Sequence, residues 1–378
     1  MMIDLSVSRQ QIDEIDSQIV DLFEKRMQVA NRVAEYKMET GKKVYDRQRE
    51  EEKLEKLSSL SHGKFNEHAV RELFSQIMSI SRKYQYGMLP HTEDVTDFEK
   101  VDRINVDTTT RVYYFGAPGS HTQQAMEDFF KLPVQGISCQ SFRGVMEAVQ
   151  TGAAEYGVLP IENSSTGGIT ANYDLLLDFK NAIVGQYVMK IDQCLVGLPG
   201  TSPEEIRKVY SHPQGLAQCS NYLNVHPQYT GIEYDSTAAA ARKVAVERDP
   251  AQAAIASRRA AKEYGLEVLA DSIQQEKNNC TRFIVIGRQE VYTPDSNKLA
   301  LCIELPHVSG SLYRILSHFL YNDLNMTQIE SRPIPGKNWE YRFFVDVEGN
   351  LDDAAVQNAL RGIREEAAFL RVLGNFKA

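Results

Sequence analysis

Proline is absent from the first 86 residues, and glycine occurs there only at Gly41 and Gly63, although the whole chain has 13 prolines and 23 glycines. Because proline and glycine interrupt helices, this distribution predicts three helices with two breaks. Hydrophobic residues recur in alternating steps of three and four from Ile12 to Val33, the spacing of one helix face. We therefore predict an all-α three-helix module over residues 1–86.

Other absences argue against several classes of protein. Five scattered cysteines form no CxxC pair, and no HExxH run occurs, so we predict no disulfide framework and no metal site. Neither GxxxxGK[ST] nor a well-placed GxGxxG is present, and we predict no cofactor. A net charge of -9 disfavours binding to nucleic acid or to anionic membranes. No signal-peptide core and no apolar run of about 18 residues occurs, so we expect a cytoplasmic protein that does not span a membrane.

Composition divides the rest of the chain into a linker and two domains. Residues 87–110 carry six acidic against two basic residues and lack apolar periodicity, which is typical of a solvated linker. Residues 111–290 alternate short β-rich runs with helical patterns, which predicts α/β architecture. Residues 297–378 follow the order β-α-β-β-α-β, which predicts an α+β ferredoxin-like domain.

Polar residues interrupt the hydrophobic faces of the helical module. Arg26 falls within the apolar stripe, and Lys37 lies about 20° from it around an ideal helix. Ser81 and Gln85 interrupt the third helix in the same way, and one turn of the second helix carries Asp46, Arg49 and Glu50. Because buried unpaired charges are costly, an anionic ligand is the natural partner of these cations, and salt bridges between helices are the alternative. The long stripe also predicts an intertwined homodimer, with tetramers left open.

Residues 1–86 resemble the all-helical chorismate mutase family, whose polar pattern is matched at Arg9, Arg26, Lys37, Asp46, Arg49, Glu50, Ser81 and Gln85. The resemblance implies that two arginines hold the carboxylates of chorismate, that Lys37 and Gln85 bind its ether oxygen, and that Glu50 binds its ring hydroxyl. It also implies that the partner chain supplies Arg9. The Claisen rearrangement to prephenate needs no nucleophile, so catalysis comes from positioning and charge stabilisation.

Hydroxyl-bearing residues cluster at three predicted strand-to-helix junctions in the central domain. Ser120 lies at the first junction, Ser164–Thr166 at the second and Ser211 at the third. The N–H groups that begin a helix bind anions, which predicts an anion-binding cleft; plain helix caps are the alternative. Thr281 begins a later predicted strand.

Residues 111–290 resemble prephenate dehydratase through a GxxGS loop, an IENSSTG segment at Ile161–Gly167, SHPQ with a downstream glutamine, and TRF. The resemblance implies a two-lobed fold similar to periplasmic binding proteins and a decarboxylating dehydration of prephenate to phenylpyruvate. It implies Thr281 as the leading catalytic residue, with Glu162 as a second proton source. The substrate-binding residues that it implies are Ser120, Asn163, Ser164, Ser165, Thr166, Ser211, His212, Gln218, Arg282 and Phe283.

Residues 297–378 resemble the ACT family of amino-acid-binding domains. The motif ESRP after the second strand matches in full, whereas the GAL-V motif at the first helix is here substituted by Ser311 and Tyr313. The resemblance implies L-phenylalanine as an effector that binds at Gly310, Ser311, Leu312, Glu330, Ser331 and Arg332. A domain that only dimerises is the alternative.

Together these resemblances imply the bifunctional chorismate mutase/prephenate dehydratase family, with feedback inhibition by phenylalanine. Three alternatives remain open at this point: one site is inactive, the dehydratase prefers arogenate, or the chain is a non-catalytic amino-acid sensor.

Overall fold

The computed structural model describes residues 5–88 and 96–378. The amino-terminal segment consists of three helices, α1 (Leu5–Thr40), α2 (Arg47–Ser58) and α3 (Lys64–Met88). The breaks fall at Gly41 and Gly63, whose φ angles of 66° and 89° are in the left-handed region that favours glycine. The prediction of three helices separated by two glycine breaks is confirmed.

The apolar stripe of α1 is uncovered in the single chain. Ile15 is 54% exposed and Leu22 65% exposed, and only Ala30 and Ala34 of this helix are buried. A long helix held mostly by the packing of one face is expected to bury that face against another element.

The predicted linker is only partly a linker. Strand β1 (Glu99–Lys100) pairs in parallel with β13 (Val291–Tyr292), and Phe98 packs against the core of the C-terminal domain. Ile104 and Val106 pack against the core of the central domain. The prediction of a solvated segment over residues 87–110 is therefore wrong for its second half, because apolar residues among the acids have partners far away in the chain. Residues 89–95 lie outside the described residues.

The central domain has two lobes, each built on one sheet. The first sheet has the order β3-β2-β4-β12-β6, with β5 added to β4. Its strands are β2 (Arg111–Phe115), β3 (Gln135–Cys139), β4 (Tyr156–Asn163), β5 (Gly167–Gly168), β6 (Ala182–Lys190) and β12 (Cys280–Gly287), and its helices are α4 (His121–Phe130), α5 (Phe142–Thr151) and α6 (Thr170–Asp178).

The second sheet has the order β11-β7-β10-β8-β9. Its strands are β7 (Cys194–Gly197), β8 (Lys208–Ser211), β9 (Thr230–Glu233), β10 (Gln252–Ala256) and β11 (Glu267–Ala270). A short 3-10 helix spans Pro203–Glu205, and the α-helices of this lobe are α7 (Pro213–Gln218), α8 (Ser220–Asn224), α9 (Thr237–Glu247) and α10 (Arg258–Tyr264).

Two chain segments, residues 191–193 and 271–279, cross between the lobes side by side. The Ile191 N–H donates to the Asn279 carbonyl at 2.8 Å, and the Ile273 N–H donates to the Gln193 carbonyl at 2.9 Å. This double crossing is consistent with the predicted two-lobed fold, and it places the start of β12 at the junction of the two lobes.

The C-terminal domain follows the predicted order. Its elements are β14 (Lys298–Glu304), α11 (Ser311–Tyr321), β15 (Met326–Pro333), β16 (Tyr341–Glu348), α12 (Ala354–Glu366) and β17 (Phe369–Phe376). The four strands form an antiparallel sheet of order β15-β16-β14-β17.

The C-terminal domain lies between the other two parts of the chain. One face of its sheet shares a hydrophobic core with the first lobe, where Phe344 and Leu373 meet Ile161 and Ile284. Helices α11 and α12 cover the other face of the sheet and also contact α3. Among the described residues, no helix combines the length and apolarity needed to cross a membrane.

Candidate active sites

A pocket of about 660 Å³ lies among the three amino-terminal helices. Seven of the eight predicted polar residues line it, namely Arg26, Lys37, Asp46, Arg49, Glu50, Ser81 and Gln85. Only two acids line the pocket, whereas its eight basic residues are Arg26, Lys37, Lys42, Lys43, Arg47, Arg49, Lys53 and Arg82. This excess of positive charge makes the pocket suitable for an anion.

Three buried polar atoms of residues that line this pocket lack partners in the described part of the chain. Arg26 Nη1 and Arg82 Nε have no hydrogen-bond acceptor, and Gln85 Oε1 has no donor. Burial lowers the pKa of Arg26, although the Glu50 carboxylate opposes that effect. Because a buried guanidinium N–H without an acceptor is costly, this atom indicates a place for a negatively charged ligand.

Lys37 is held against the loop between α1 and α2. Its Nζ donates to the Val44 carbonyl at 2.6 Å. Burial lowers the pKa of Lys37, against the opposing effects of Glu365, Glu50 and Asp46. An ammonium on the wall of the pocket, with donors left over after its contact with Val44, can hydrogen-bond a ligand oxygen.

The remaining predicted residues of the helical module have distinct local contacts. Asp46 is the N-cap of α2, and its carboxylate accepts from the Arg49 N–H at 3.1 Å. Gln85 Nε2 donates to Ser81 Oγ at 3.4 Å. Arg9 is exposed and does not line the pocket, because α1 carries it about 25 Å along the helix axis from Arg26. In one chain, the structure therefore brings together every predicted residue of this module except Arg9.

Arg82 is a pocket residue that the sequence analysis missed. Its side chain is 6% exposed and forms ion pairs with Glu50 and with Glu366 of α12, the latter at 2.8 Å. Burial alone would lower the pKa of Arg82, but the carboxylates of Glu366 and Glu50 outweigh burial and raise it. No local pattern could reveal this pairing, since 284 positions separate Arg82 from Glu366.

In the central domain, Thr281 lies at the start of β12 in a network of amides. Asn163, its cross-strand neighbour on β4, donates through Nδ2 to Thr281 Oγ1 at 2.9 Å and to Asn279 Oδ1 at 2.8 Å. Ser165 Oγ donates to Asn163 Oδ1 at 2.7 Å. Because Thr281 Oγ1 accepts from Asn163 and has no acceptor of its own among the described residues, its hydrogen is available to a ligand. Asn279 was not predicted, and its position just before the TRF strand was the only signal.

The hydroxyls of Ser164–Thr166 do not begin a helix. They lie exposed in the turn between β4 and β5, and α6 starts only at Thr170. The predicted strand-to-helix junction is therefore wrong here, because the two glycines that follow the turn pair back onto β4. Gln214 of α7 donates to Thr166 Oγ1 at 3.1 Å, so the turn is hydrogen-bonded to the second lobe.

At the other two predicted junctions, the polar residues form hydrogen bonds with the protein's own backbone. Ser120 caps α4 by accepting from the Gln123 N–H, and His212 caps α7 by accepting from the Gln214 N–H. Ser211 is fully buried, and its Oγ donates to the Ile255 carbonyl at 2.8 Å, so it is directed into the lobe rather than toward a ligand. Gln218 ends α7, and its carbonyl accepts from the Gln275 N–H at 2.9 Å.

The structure also corrects the predictions for the neighbours of Thr281. Arg282 forms ion pairs with Glu162 and with Asp346 of the C-terminal domain. Strand alternation places Arg282, and its cross-strand neighbour Glu162, on the face of the sheet opposite Thr281, against the C-terminal sheet. Phe283 is 2% exposed and belongs to the hydrophobic core. These contacts argue against the predicted roles of Glu162 as a proton source and of Arg282 and Phe283 as substrate contacts.

The two predicted effector motifs lie apart in the single chain. Gly310 has a φ of 77° and precedes α11, and Ser311 and Leu312 line a pocket of about 460 Å³. The predicted residues of β15 are not in its lining: Ser331 is exposed, Glu330 lies near Gly168, and Arg332 pairs with Asp174 of α6 at 2.6 Å. The two motifs therefore do not form one site within a single chain, and the six effector residues remain a prediction.

Within residues 5–88 and 96–378, no group of three or more His, Cys, Asp or Glu side chains is arranged to hold a metal ion.

Comparison with known proteins associates the helical module and the central domain with families. The chorismate mutase type II family matches residues 8–86, and the prephenate dehydratase family matches residues 112–291. A bifunctional chorismate mutase/prephenate dehydratase of Neisseria gonorrhoeae is 34% identical over 369 residues, which cover 97% of this chain and 95% of that protein. An arogenate dehydratase/prephenate dehydratase of Arabidopsis thaliana is 38% identical over 70% of this chain and 68% of its own length. The structure of a prephenate dehydratase from Arthrobacter aurescens in complex with L-Phe is 29% identical and aligns with a TM-score of 0.65, covering 71% of this chain and 90% of that chain.

Proposed function

The chain belongs to the bifunctional chorismate mutase/prephenate dehydratase family, and on this premise we propose which of its residues carry out each reaction. The helical pocket rearranges chorismate to prephenate, and the cleft at Thr281 converts prephenate to phenylpyruvate. The observation that supports the first assignment most directly is the buried Arg26 Nη1 without an acceptor, in a pocket rich in basic residues.

In the mutase reaction the protein acts by holding and stabilising the substrate. Arg26, together with Arg9 of a second chain, binds the two carboxylates and selects the compact conformer in which the reacting carbons meet. Lys37 and Gln85 face the ether oxygen, where negative charge grows as its bond to the ring breaks. Glu50 accepts from the ring hydroxyl. Lys37 is expected to be the most sensitive of these residues, since its ammonium opposes the developing charge most directly.

We propose a homodimer in which the exposed stripe of α1 is buried and Arg9 is delivered to the partner's pocket. The test mixes two inactive variants, Arg9→Ala and Lys37→Ala. In heterodimers, one of the two pockets contains neither substitution, so mixing is expected to restore part of the mutase activity. Absence of recovery, in a mixture shown to exchange subunits, would count against the arrangement.

In the dehydratase reaction, the ring carboxylate of prephenate leaves as carbon dioxide. The electron pair of the broken C–C bond enters the ring and expels the hydroxyl, which takes up a proton and leaves as water. Thr281, held by Asn163, donates a hydrogen bond to the departing oxygen. The hydroxyls of Ser164–Thr166 in the adjacent turn bind a carboxylate. A Thr281→Ala variant with the wild-type rate on prephenate would remove this assignment.

We propose that the C-terminal domain is an ACT domain that binds L-phenylalanine and inhibits the enzyme. Support comes from its β-α-β-β-α-β order and from the L-Phe-bound relative. The domain contacts the dehydratase lobe through the Arg332–Asp174 and Arg282–Asp346 ion pairs, and Arg282 is adjacent to Thr281. A ligand that favours one packing of this interface would therefore alter the cleft. Calorimetry that detects no L-phenylalanine binding would defeat the proposal.

One experiment addresses all three modules. The purified chain receives chorismate, and chorismate, prephenate and phenylpyruvate are followed over time with and without L-phenylalanine. Accumulation of prephenate alone would indicate an inactive dehydratase site. Faster turnover of arogenate than of prephenate in a parallel assay would indicate an arogenate-preferring enzyme. No turnover of any of these compounds would favour an amino-acid sensor.

A further inference from the structure

Two acids at the end of α12, in the C-terminal domain, contact residues that line the mutase pocket. Glu366 Oε1 accepts from Arg82 Nη2 at 2.8 Å, and the other terminal nitrogen of Arg82 binds the Glu50 carboxylate. The guanidinium also lies over the Tyr45 ring, 4.6 Å from its centroid. Arg82 therefore joins a carboxylate of the pocket to a carboxylate of another domain.

The neighbouring acid holds the wall of the pocket. Glu365 Oε2 accepts from the Tyr45 N–H at 2.8 Å and from the Tyr86 hydroxyl at 2.7 Å. Tyr45 follows Val44, whose carbonyl accepts from Lys37. Two adjacent residues of α12 thus contact both the loop that holds Lys37 and the arginine that holds Glu50.

Burial makes the link through Arg82 specific. The side chains of Arg82 and Glu366 are 6% and 5% exposed, so water cannot substitute readily for either partner. The planar guanidinium presents its N–H groups in a rigid fork, and an acceptor on one side therefore orients the group that binds on the other. His318 Nε2 lies 3.3 Å from Glu366 Oε1, and burial lowers the pKa of His318 against the influence of that carboxylate, so Arg82 is the charged partner of Glu366.

We propose that Glu366 is a positioning residue for the mutase reaction, which it serves by holding Arg82 in the orientation that aims Glu50 at the substrate's ring hydroxyl. The C-terminal domain then completes the mutase pocket as well as covering the dehydratase lobe. The inference rests on the mutase activity proposed above.

The test is Glu366→Gln in the full-length chain, which removes the charge and keeps the size of the side chain. Arg82 then pairs with Glu50 alone and pulls the Glu50 carboxylate away from the position in which it binds the ring hydroxyl. Because the ring hydroxyl is bound in the ground state and in the transition state alike, KM for chorismate should rise about tenfold with a smaller change in kcat. A merely structural loss of folded enzyme would lower the apparent kcat and leave KM unchanged. Turnover of prephenate by the same sample should stay within about twofold of wild type.

Ser317→Ala is the matched control. It removes the 2.7 Å hydrogen bond from Lys83 to Ser317 at the neighbouring contact between α3 and α11, away from Glu50, and should leave KM for chorismate unchanged. Glu366→Asp, which retains the charge, should give an intermediate KM and replaces Glu366→Gln if that variant does not fold.

An unchanged KM in Glu366→Gln, or an equal rise in Ser317→Ala, would overturn the inference. A wild-type chain that turns over prephenate but not chorismate would instead refute the proposed mutase function, and the inference with it.

Discussion

Replacing Asn163 by aspartate is a severe test of the proposed dehydratase site, because it changes hydrogen-bonding character without changing size. The Asn163 amide nitrogen contacts three acceptors: Thr281 Oγ1 at 2.9 Å, Asn279 Oδ1 at 2.8 Å and the Cys280 carbonyl at 3.2 Å. Aspartate places an acceptor where that donor stands. The Thr281 hydroxyl would then turn its hydrogen toward the new carboxylate and away from the substrate.

The expected losses of stability and of kcat follow from these contacts. Asn163 is 5% exposed, so its lost hydrogen bonds are not replaced by bulk water. Loss of two to three of them, at about 1 kcal/mol each, lowers the free energy of unfolding by about 2–3 kcal/mol. In a domain of this size that corresponds to a decrease of roughly 4–12 °C in the Tm of its transition. Loss of the oriented donor should lower kcat on prephenate by about a hundredfold, at the lower end of the range for proton-transfer groups.

The assay measures kcat on prephenate at a temperature where the variant is folded, with mutase turnover of the same sample as an internal reference. Asn181→Asp is the matched control, since Asn181 is also buried in the first lobe and donates to the Met146 carbonyl at 2.9 Å, outside the Thr281 network. That variant should lose stability and keep its kcat. Wild-type kcat in Asn163→Asp, or an equal loss in Asn181→Asp, would refute the role of Asn163 in orienting Thr281.

Three further predictions concern other parts of the molecule. Burial lowers the pKa of Lys37, so mutase kcat/KM should fall as pH rises through a value below the ordinary lysine pKa of about 10.4; a flat profile up to that pH would contradict a role for its ammonium. Ile15→Lys puts a charge into the exposed stripe of α1 and should lower mutase activity at least about tenfold while prephenate turnover persists, whereas unchanged mutase activity would argue against burial of the stripe. Gly374→Ala would place a Cβ 2.1 Å from the Ile183 carbonyl oxygen and should lower the free energy of unfolding by at least about 1–3 kcal/mol in denaturant titrations, whereas Gly87→Ala, with its nearest contact at 3.5 Å, should not.

Local pattern was sufficient where the physics is local. The absence of proline and the two isolated glycines determined the helical module, since backbone freedom depends on the residue itself. The spacing of Arg26 and Lys37 within an apolar stripe was enough to place both in one pocket, because the number of residues between two positions on a helix fixes the angle between their side chains. The order of strands and helices in the C-terminal domain was likewise legible from alternating and helical periodicity.

Which partner a side chain meets was decided only in three dimensions. Alternation shows that Thr281 and Arg282 lie on opposite faces of a strand, but only the packing of the C-terminal sheet shows which face is the cleft. From the sequence alone, Arg82 would be assigned to the surface of α3; it is the packing of α12 that brings Glu366 beside it. Sequence alone therefore determined the elements and their faces, whereas tertiary structure decided the pairings between them, because contact energies depend on distances that chain order does not specify.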